Sequence, residues 1–236
     1  MYPILLLTLL INAVAMKQVD PKVELVANNM EWLGQAAVKV ICQGKTIYID
    51  PYKLTKSDSA DIVLITHSHS DHWSIDDIKK VVTSKTTLIA PIECLDEVKD
   101  LPAKAKIGVI PGFKQTVDGI AIEAVPAYNV VKTKFHGRDK NFVGYILNLD
   151  GVKLYHTGDT ERIPEMKSIN ADIILLPLGQ TYTMNSVEEA AESAKDVKAS
   201  IAIPIHYGMY EGTSADAEKF KSLLEGSITV IIKKPR

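Results

Sequence analysis

Ile62-Val63-Leu64-Ile65-Thr66-His67-Ser68-His69-Ser70-Asp71-His72 runs from four aliphatic residues almost directly into three histidines and an aspartate. A short unbroken apolar run suits a β-strand covered on both faces, so the polar cluster falls in the loop that leaves such a strand. Positions 67 to 72 hold three of the six histidines in the 236-residue chain. A lone histidine reads as an ordinary surface or core residue. Three with a carboxylate do not, because neutral imidazole and carboxylate are the usual ligands of zinc and related divalent ions. The alternate side chains of His67 and His69 can converge on one ion, and Asp71 and His72 can turn toward a second. Ser74 then precedes Ile75-Asp76-Asp77-Ile78-Lys79-Lys80-Val81-Val82, acidic early and basic late, as a helix N-cap and macrodipole favour. The cluster is therefore expected in a strand-to-helix loop.

Upstream, Val38 to Cys42 and Thr46 to Asp50 flank Gln43-Gly44-Lys45 and read as a hairpin. Downstream, strands are expected at Thr87 to Ala90, Ile107 to Ile110, Ile120 to Val125, Phe142 to Leu149, Val152 to Tyr155, Ile173 to Leu176, Ile201 to Ile205 and Ile228 to Ile232. Helices are expected at Glu93 to Lys99, Ser186 to Lys195 and Ser214 to Leu224, the second opening on the capping-box pattern Ser186-Val187-Glu188-Glu189. Two strand-rich halves with interspersed helices fit an α/β fold, a four-layer αβ/βα sandwich. No linker or low-complexity tract interrupts residues 16–236, which are read as one domain.

Three outlying polar residues sit at expected strand ends. Asp50 in Ile49-Asp50-Pro51 can simply close a hairpin, Asp159 in Gly158-Asp159-Thr160 can be a turn residue, and His206 in Pro204-Ile205-His206-Tyr207-Gly208 can be a rim histidine. Their joint placement makes ligation or support of a ligand the better reading. The pattern His-x-His-x-Asp-His resembles the signature of the metallo-β-lactamase superfamily, and Asp50, Asp159 and His206 follow in the order that family shows, over roughly Glu31 to Phe220. Tyr155-His156-Thr157-Gly158-Asp159-Thr160 and Leu176-Pro177-Leu178-Gly179, with Tyr182-Thr183-Met184, are similar to the branch that contains L-ascorbate-6-phosphate lactonases and N-acylphosphatidylethanolamine phospholipases D. These motifs are specific for fold and metal site and much weaker for substrate.

The resemblance implies a metal-dependent hydrolase, with His67 and His69 on one ion, Asp71, His72 and His206 on a second, and Asp159 bridging. Two divalent ions roughly 3.5–4 Å apart can hold a hydroxide, lower the pKa of its parent water toward about 7 and polarise an ester-like bond, a lactone or a phosphodiester. Asp71 is the candidate catalytic group, orienting that nucleophile or relaying a proton to the leaving group. Zinc suits the His-rich set, and Mn2+ or Fe2+ fits the same ligands. A member of the fold that binds metal without turnover is the alternative, and full metal content with no hydrolysis would identify it. His156 and the loop residues Gln180, Tyr182 and Met184 read equally as structural or as facing the site. The resemblance implies a further histidine for the first ion in the loop between the His-x-His-x-Asp-His motif and the bridging aspartate, and in the phospholipase branch it follows a Pro-Ala pair. Here Pro126-Ala127-Tyr128-Asn129 puts an amide in that place, and His136, seven residues on, is the candidate replacement ligand or a substrate-binding residue.

Composition narrows the partners. Hydrophobic residues make up 46% and charged residues 24%, ordinary for a globular protein. With 27 Lys and Arg against 29 Asp and Glu there is no field to draw a polyanion, and no basic cluster interleaved with aromatics, so a small-molecule substrate is expected rather than nucleic acid. Cys42 and Cys94 are too few for a disulfide framework or a cysteine zinc site, though one bond between them stays open if the chain is exported. From Pro3 to Ala15 the chain is uncharged, mostly aliphatic and closes on Ala13-Val14-Ala15, the small-x-small pattern of a signal-peptidase site. The run is short for a membrane span of about 20 residues, and it lacks the Lys or Arg a signal peptide normally carries first. Residues 1–15 are expected to be a signal peptide, giving a periplasmic or secreted protein; a start at Met16 would instead leave it cytoplasmic.

Overall fold

The computed structural model describes residues 18–236, so the candidate signal peptide lies outside the described residues. One sheet contains, in spatial and chain order, β1 (Glu31–Gly34), β2 (Ala37–Cys42), β3 (Lys45–Ile49), β4 (Ile62–Leu64), β5 (Thr87–Pro91) and β6 (Ala105–Val109). The other contains β7 (Lys114–Val117), β8 (Ile120–Pro126), β9 (Val143–Leu149), β10 (Val152–His156), β11 (Ile173–Pro177), β12 (Ile201–Ile205) and β13 (Thr229–Val230). Each sheet begins antiparallel, through β3 or β10, and finishes parallel. The helices are α1 (Pro21–Asn29), α2 (Ile75–Val81), α3 (Val187–Val197) and α4 (Ser214–Leu224).

The apolar run at β4 is divided between two layers. Ile62 and Leu64 join Val38, Ile47, Ile120 and Leu147 in the core between the sheets, while Val63 and Ile65 lie with Ile78 and Val81 of α2 on the other face. Alternation along one strand thus explains why every residue of β4 is buried. On the far side, α3 packs against β11 and α4 against β13, which completes the four-layer αβ/βα sandwich. Ser74 accepts from the Asp77 amide as expected, and Ser186 from that of Glu189. The capping box expected at Ser186 is only half formed, because the Glu189 carboxylate accepts from the Arg162 and Asn185 amides instead; a complete box, not expected, forms between Thr213 and Asp216.

Several expectations need correction. The segment expected as a helix from Glu93 is a 3-10 stretch, Ile92–Val98, and β13 keeps only two residues of the run around Ile228. Strands β1 and β7 were not expected, because they are short and Lys114–Val117 is mostly exposed. Helix α1 also escaped, although Asp20 caps it ahead of a first-turn proline, a pairing that marks helix starts. Cys42 and Cys94 are both free; Cys42 packs against the inter-sheet core and Cys94 lies in the outer cluster under α2, so no disulfide joins them.

The sheets converge where β4 and β9 approach. The Tyr145 hydroxyl donates to the Ile65 carbonyl at 2.8 Å and the Val143 amide to that of Thr66 at 3.0 Å, which fixes the end of β4 ahead of His67. Gly144 on β9 lies against the backbone of Thr157, where a Cβ would come within 2.6 Å of a carbonyl oxygen. That oxygen cannot move without the turn that carries Asp159. Gly144→Ala is therefore expected to lower stability by roughly 1–3 kcal/mol through overpacking. Denaturant unfolding checks this, and an unchanged midpoint would contradict it.

Candidate metal centre

Six strands of the two sheets deliver polar residues to one edge. Gln35 follows β1, Asp50 follows β3, the 67–72 loop follows β4, His136 lies in the loop after β8, Asp159 follows β10 and His206 follows β12. Three of these residues adopt left-handed backbone conformations that non-glycine residues seldom take, Gln35 at φ 48°, Asp50 at 46° and His206 at 59°. Such strain costs of order 1–3 kcal/mol and gathers where a site imposes it.

Asp50, fully buried, organises the loop. Its Oδ1 accepts from the Thr66 amide at 2.7 Å and its Oδ2 from the Thr66 hydroxyl at 2.6 Å and from His72 Nδ1 at 2.8 Å. The Thr66 oxygen, having donated its proton, accepts from His67 Nδ1 at 3.0 Å. Both imidazoles are thereby turned so that Nε2 faces Asp159, the tautomer-fixing role that carboxylates commonly take behind ligand histidines. His136 is set in the same way, its Nδ1 donating to the Tyr182 carbonyl at 3.2 Å.

The ligand-type atoms fall into two groups that share Asp159. Donor atoms of His67, His69 and His136 lie within 4.8 Å of one another, and so do those of Asp71, His72 and His206. Asp159 Oδ2 sits between them, 3.9 Å from His67 Nε2, 3.4 Å from His136 Nε2, 3.4 Å from His72 Nε2 and 3.1 Å from His206 Nε2. Every candidate from the sequence is thus brought into one cluster, His136 included. Asn129 is not a member. Its amide donates to the Tyr182 carbonyl at 2.7 Å and that of Lys132 at 3.2 Å, and so closes the loop that presents His136. His156 is structural, its Nε2 donating to the Ala36 carbonyl at 3.0 Å while Nδ1 accepts from the Gly158 amide. Tyr182 borders the cavity, whereas Met184 is buried in the core.

Three buried residues at the site were missed from sequence. Gln35 donates through Nε2 to Asp71 Oδ2 at 2.8 Å and lies 2.7 Å from His206 Nε2. Glu211 faces His206 Nδ1 at 3.1 Å and accepts from the amides of Thr181 and Tyr182 at 2.9 and 2.7 Å. Its side chain passes so close to Gly179 that a Cβ there would overlap it. Glu161 accepts from the amides of Val130, Val131 and Lys132 at 2.6–2.9 Å and anchors the loop of His136. A glutamate between Gly208 and Gly212 reads as an exposed loop acid; for Glu161, adjacency to the Gly158-Asp159-Thr160 turn was the available signal.

The two groups differ in charge. Burial, reinforced by the neighbouring histidines, holds His67 well below its ordinary pKa, and burial with His136 brings His69 down to about 4. Burial acts the same way on His72 and His206, but Asp159 outweighs it. With Asp50, Asp159 raises His72 well above the usual value; with Glu211, it raises His206 to about 9. Burial pushes Asp159 upward, yet the charges on His206 and His72 leave it well below the usual carboxylate range. His67 and His69 are thereby ready to ligate at neutral pH, whereas His72 and His206 hold protons that a cation must displace.

The fold and this centre define a class, the metal-dependent hydrolases built on an αβ/βα sandwich. The profile of the Beta-lactamase superfamily domain matches residues 29–206, and the chain belongs to the metallo-β-lactamase superfamily. It is 34% identical to a UPF0173 metal-dependent hydrolase of Thermococcus onnurineus over 87% of this chain and 96% of that one, and 35% identical to its counterpart from Thermoplasma acidophilum over 81% and 88%. Among solved structures, a metal-dependent hydrolase from Parabacteroides distasonis superposes with a TM-score of 0.77 at 33% identity, covering 87% of this chain and 92% of that one. A metallo hydrolase from Ignicoccus hospitalis gives 0.71 at 26%, covering 87% and 94%.

Because His72 and His206 are protonated near neutrality, metal loading at pH 7.5 is expected to release protons, and uptake to weaken as pH falls. Above about pH 9 the contribution from His206 disappears. Calorimetric titration with zinc in two buffers of different ionisation enthalpy measures this; buffer-independent heats at pH 7.5 would contradict it.

Proposed function

We propose that the protein hydrolyses an ester-like bond of a small molecule with two divalent ions held about Asp159, zinc suiting the His-rich set and Mn2+ or Fe2+ fitting it as well. The observation that carries this reading is the convergence of buried, unpartnered ligand atoms. His72 Nε2, His136 Nε2 and Asp159 Oδ1 are sealed from solvent without a hydrogen-bond partner. Orphaned buried polar atoms are costly, and a shared cation satisfies such a set. His67, His69 and His136 would hold the first ion, Asp71, His72 and His206 the second, and Asp159 would bridge. Bound there, divalent ions would supply Lewis acidity and lower the pKa of water.

The chain's own groups do the rest. A cavity of about 450 Å3 opens over the centre, bordered by Gln35, Ser70, Phe135, Tyr182 and Tyr210 as well as site residues. Asp71 is the more exposed of the two central carboxylates, 23% against 5% for Asp159, and lines that cavity. It can therefore take a proton from the attacking water or pass one to the leaving group. Phe135 and Tyr182, packed edge to face at 5.0 Å, offer an apolar wall for the substrate body. Among the described residues no lysine or arginine lines the cavity, and Lys53 is bonded to the hydroxyl of the lining residue Tyr210. These walls favour an uncharged lactone or ester over a phosphodiester, whose charge would be left to the ions alone.

Chelation is expected to abolish hydrolysis of a panel of lactones, carboxylic esters and phosphodiesters, and readdition of zinc, Mn2+ or Fe2+ to restore it. His69→Ala and Asp159→Ala should lose metal and reduce turnover by on the order of 100-fold. His136→Ala should lose one ion, while Asn129→Ala, which only loosens the loop, should retain more. Full metal content with no turnover on any substrate would identify a metal-binding protein without catalysis. Unchanged metal content in the His69 and Asp159 variants would overturn the ligand assignment.

A further inference from the structure

Gln35 stands out among the residues that the proposed chemistry leaves unused. It is 1% exposed, with a left-handed backbone, φ 48°. Its carbonyl accepts from the Trp32 indole at 2.8 Å and from the His206 amide at 2.8 Å, so its backbone is fastened to the residue its side chain faces. The amide nitrogen lies 2.8 Å from Asp71 Oδ2 and 2.7 Å from His206 Nε2, while those two atoms are 3.8 Å apart. Oε1, at the other end of the same amide, is buried and has no partner. In this arrangement the amide N–H donates to Asp71 and faces the His206 nitrogen, while the oxygen at its other end bears the cost of an unmet acceptor.

From this geometry we infer that Gln35 is an additional oxygen donor to the second ion, an inference that rests on the two-ion reading above. Once the lone pairs of Asp71 and His206 are committed to a cation, an N–H aimed at them has no acceptor and opposes positive charge. A half-turn about the last side-chain bond exchanges Nε2 with Oε1 without moving the rest of the residue. The oxygen then comes to a point already 2.7–2.8 Å from two of the ligand atoms, closer than the 3.1–3.8 Å that separates His206 Nε2 from Asp159 and Asp71. That spacing suits neighbouring donors around one ion. An amide oxygen is a harder donor than imidazole, so its presence favours Mn2+ or Fe2+ in the second position more than it favours zinc.

The test is stepwise binding of zinc and of Mn2+ to the whole protein, by calorimetry and elemental analysis, for the natural chain, Gln35→Met and Gln35→Glu. Methionine keeps the length and removes the amide; glutamate keeps the oxygens and removes the N–H. The first ion should bind all three alike, which also shows that the variants are folded. The second should bind Gln35→Met about 10-fold more weakly, with a larger loss for Mn2+ than for zinc, and bind Gln35→Glu more tightly. Equal or tighter binding of the second ion by Gln35→Met would overturn the inference and leave the two-ion reading standing. A natural chain that takes up only one ion would overturn both.

Discussion

The structure depends on one buried negative charge. Asp159 is buried, yet four imidazole nitrogens, of His67, His72, His136 and His206, crowd its Oδ2 within 4 Å. An isolated carboxylate in such a place would cost several kcal/mol or give up its charge. Here protons on His72 and His206 balance it, and two cations would balance it better. The raised pKa values of His72 and His206 follow from that charge, as does the requirement that loops from both sheets reach the same point.

Meeting that requirement consumes much of the local backbone freedom. The ends of β3, β4, β10 and β12 must converge, so the chain turns abruptly after each strand, and Asp50 and His206 take left-handed conformations at those turns. The contacts behind the histidines compensate. Asp50 supports His67 through Thr66 and supports His72 directly, while Glu211 links His206 to the amides of Thr181 and Tyr182. Because the Tyr182 carbonyl in turn orients His136, one continuous set of polar contacts joins the two halves through the loop that forms the cavity wall. A molecule pressing on that wall would bear on both groups of ligand-type side chains.

What could be read from sequence follows the range of the interactions. The His67 to His72 loop was legible because its ligand-type side chains are adjacent in the chain, and Asp50, Asp159 and His206 because each follows a strong apolar strand. Placing His136 took a resemblance plus a missing histidine at Asn129, since nothing local distinguishes a ligand from a loop histidine. Gln35 and Glu211 were illegible for a different reason. Their roles arise from long-range contacts, Gln35 with His206 and Glu211 with Thr181 and Tyr182, and an amide after Gly34 or an acid in a glycine-rich loop has no pattern of its own. Strands β1 and β7 were hidden by brevity and exposure, the 3-10 stretch after β5 by a composition that suits an α-helix equally. The motifs reach the metal centre and stop at Phe135, Tyr182 and Tyr210, cavity-lining side chains that no motif marks.

Anomalous diffraction from crystals soaked in zinc, recorded on both sides of the metal absorption edge, tests the central claim most directly. The account predicts two peaks flanking Asp159, one bounded by His67, His69 and His136 and the other by Asp71, His72 and His206. A single peak, or peaks away from Asp159, would contradict it.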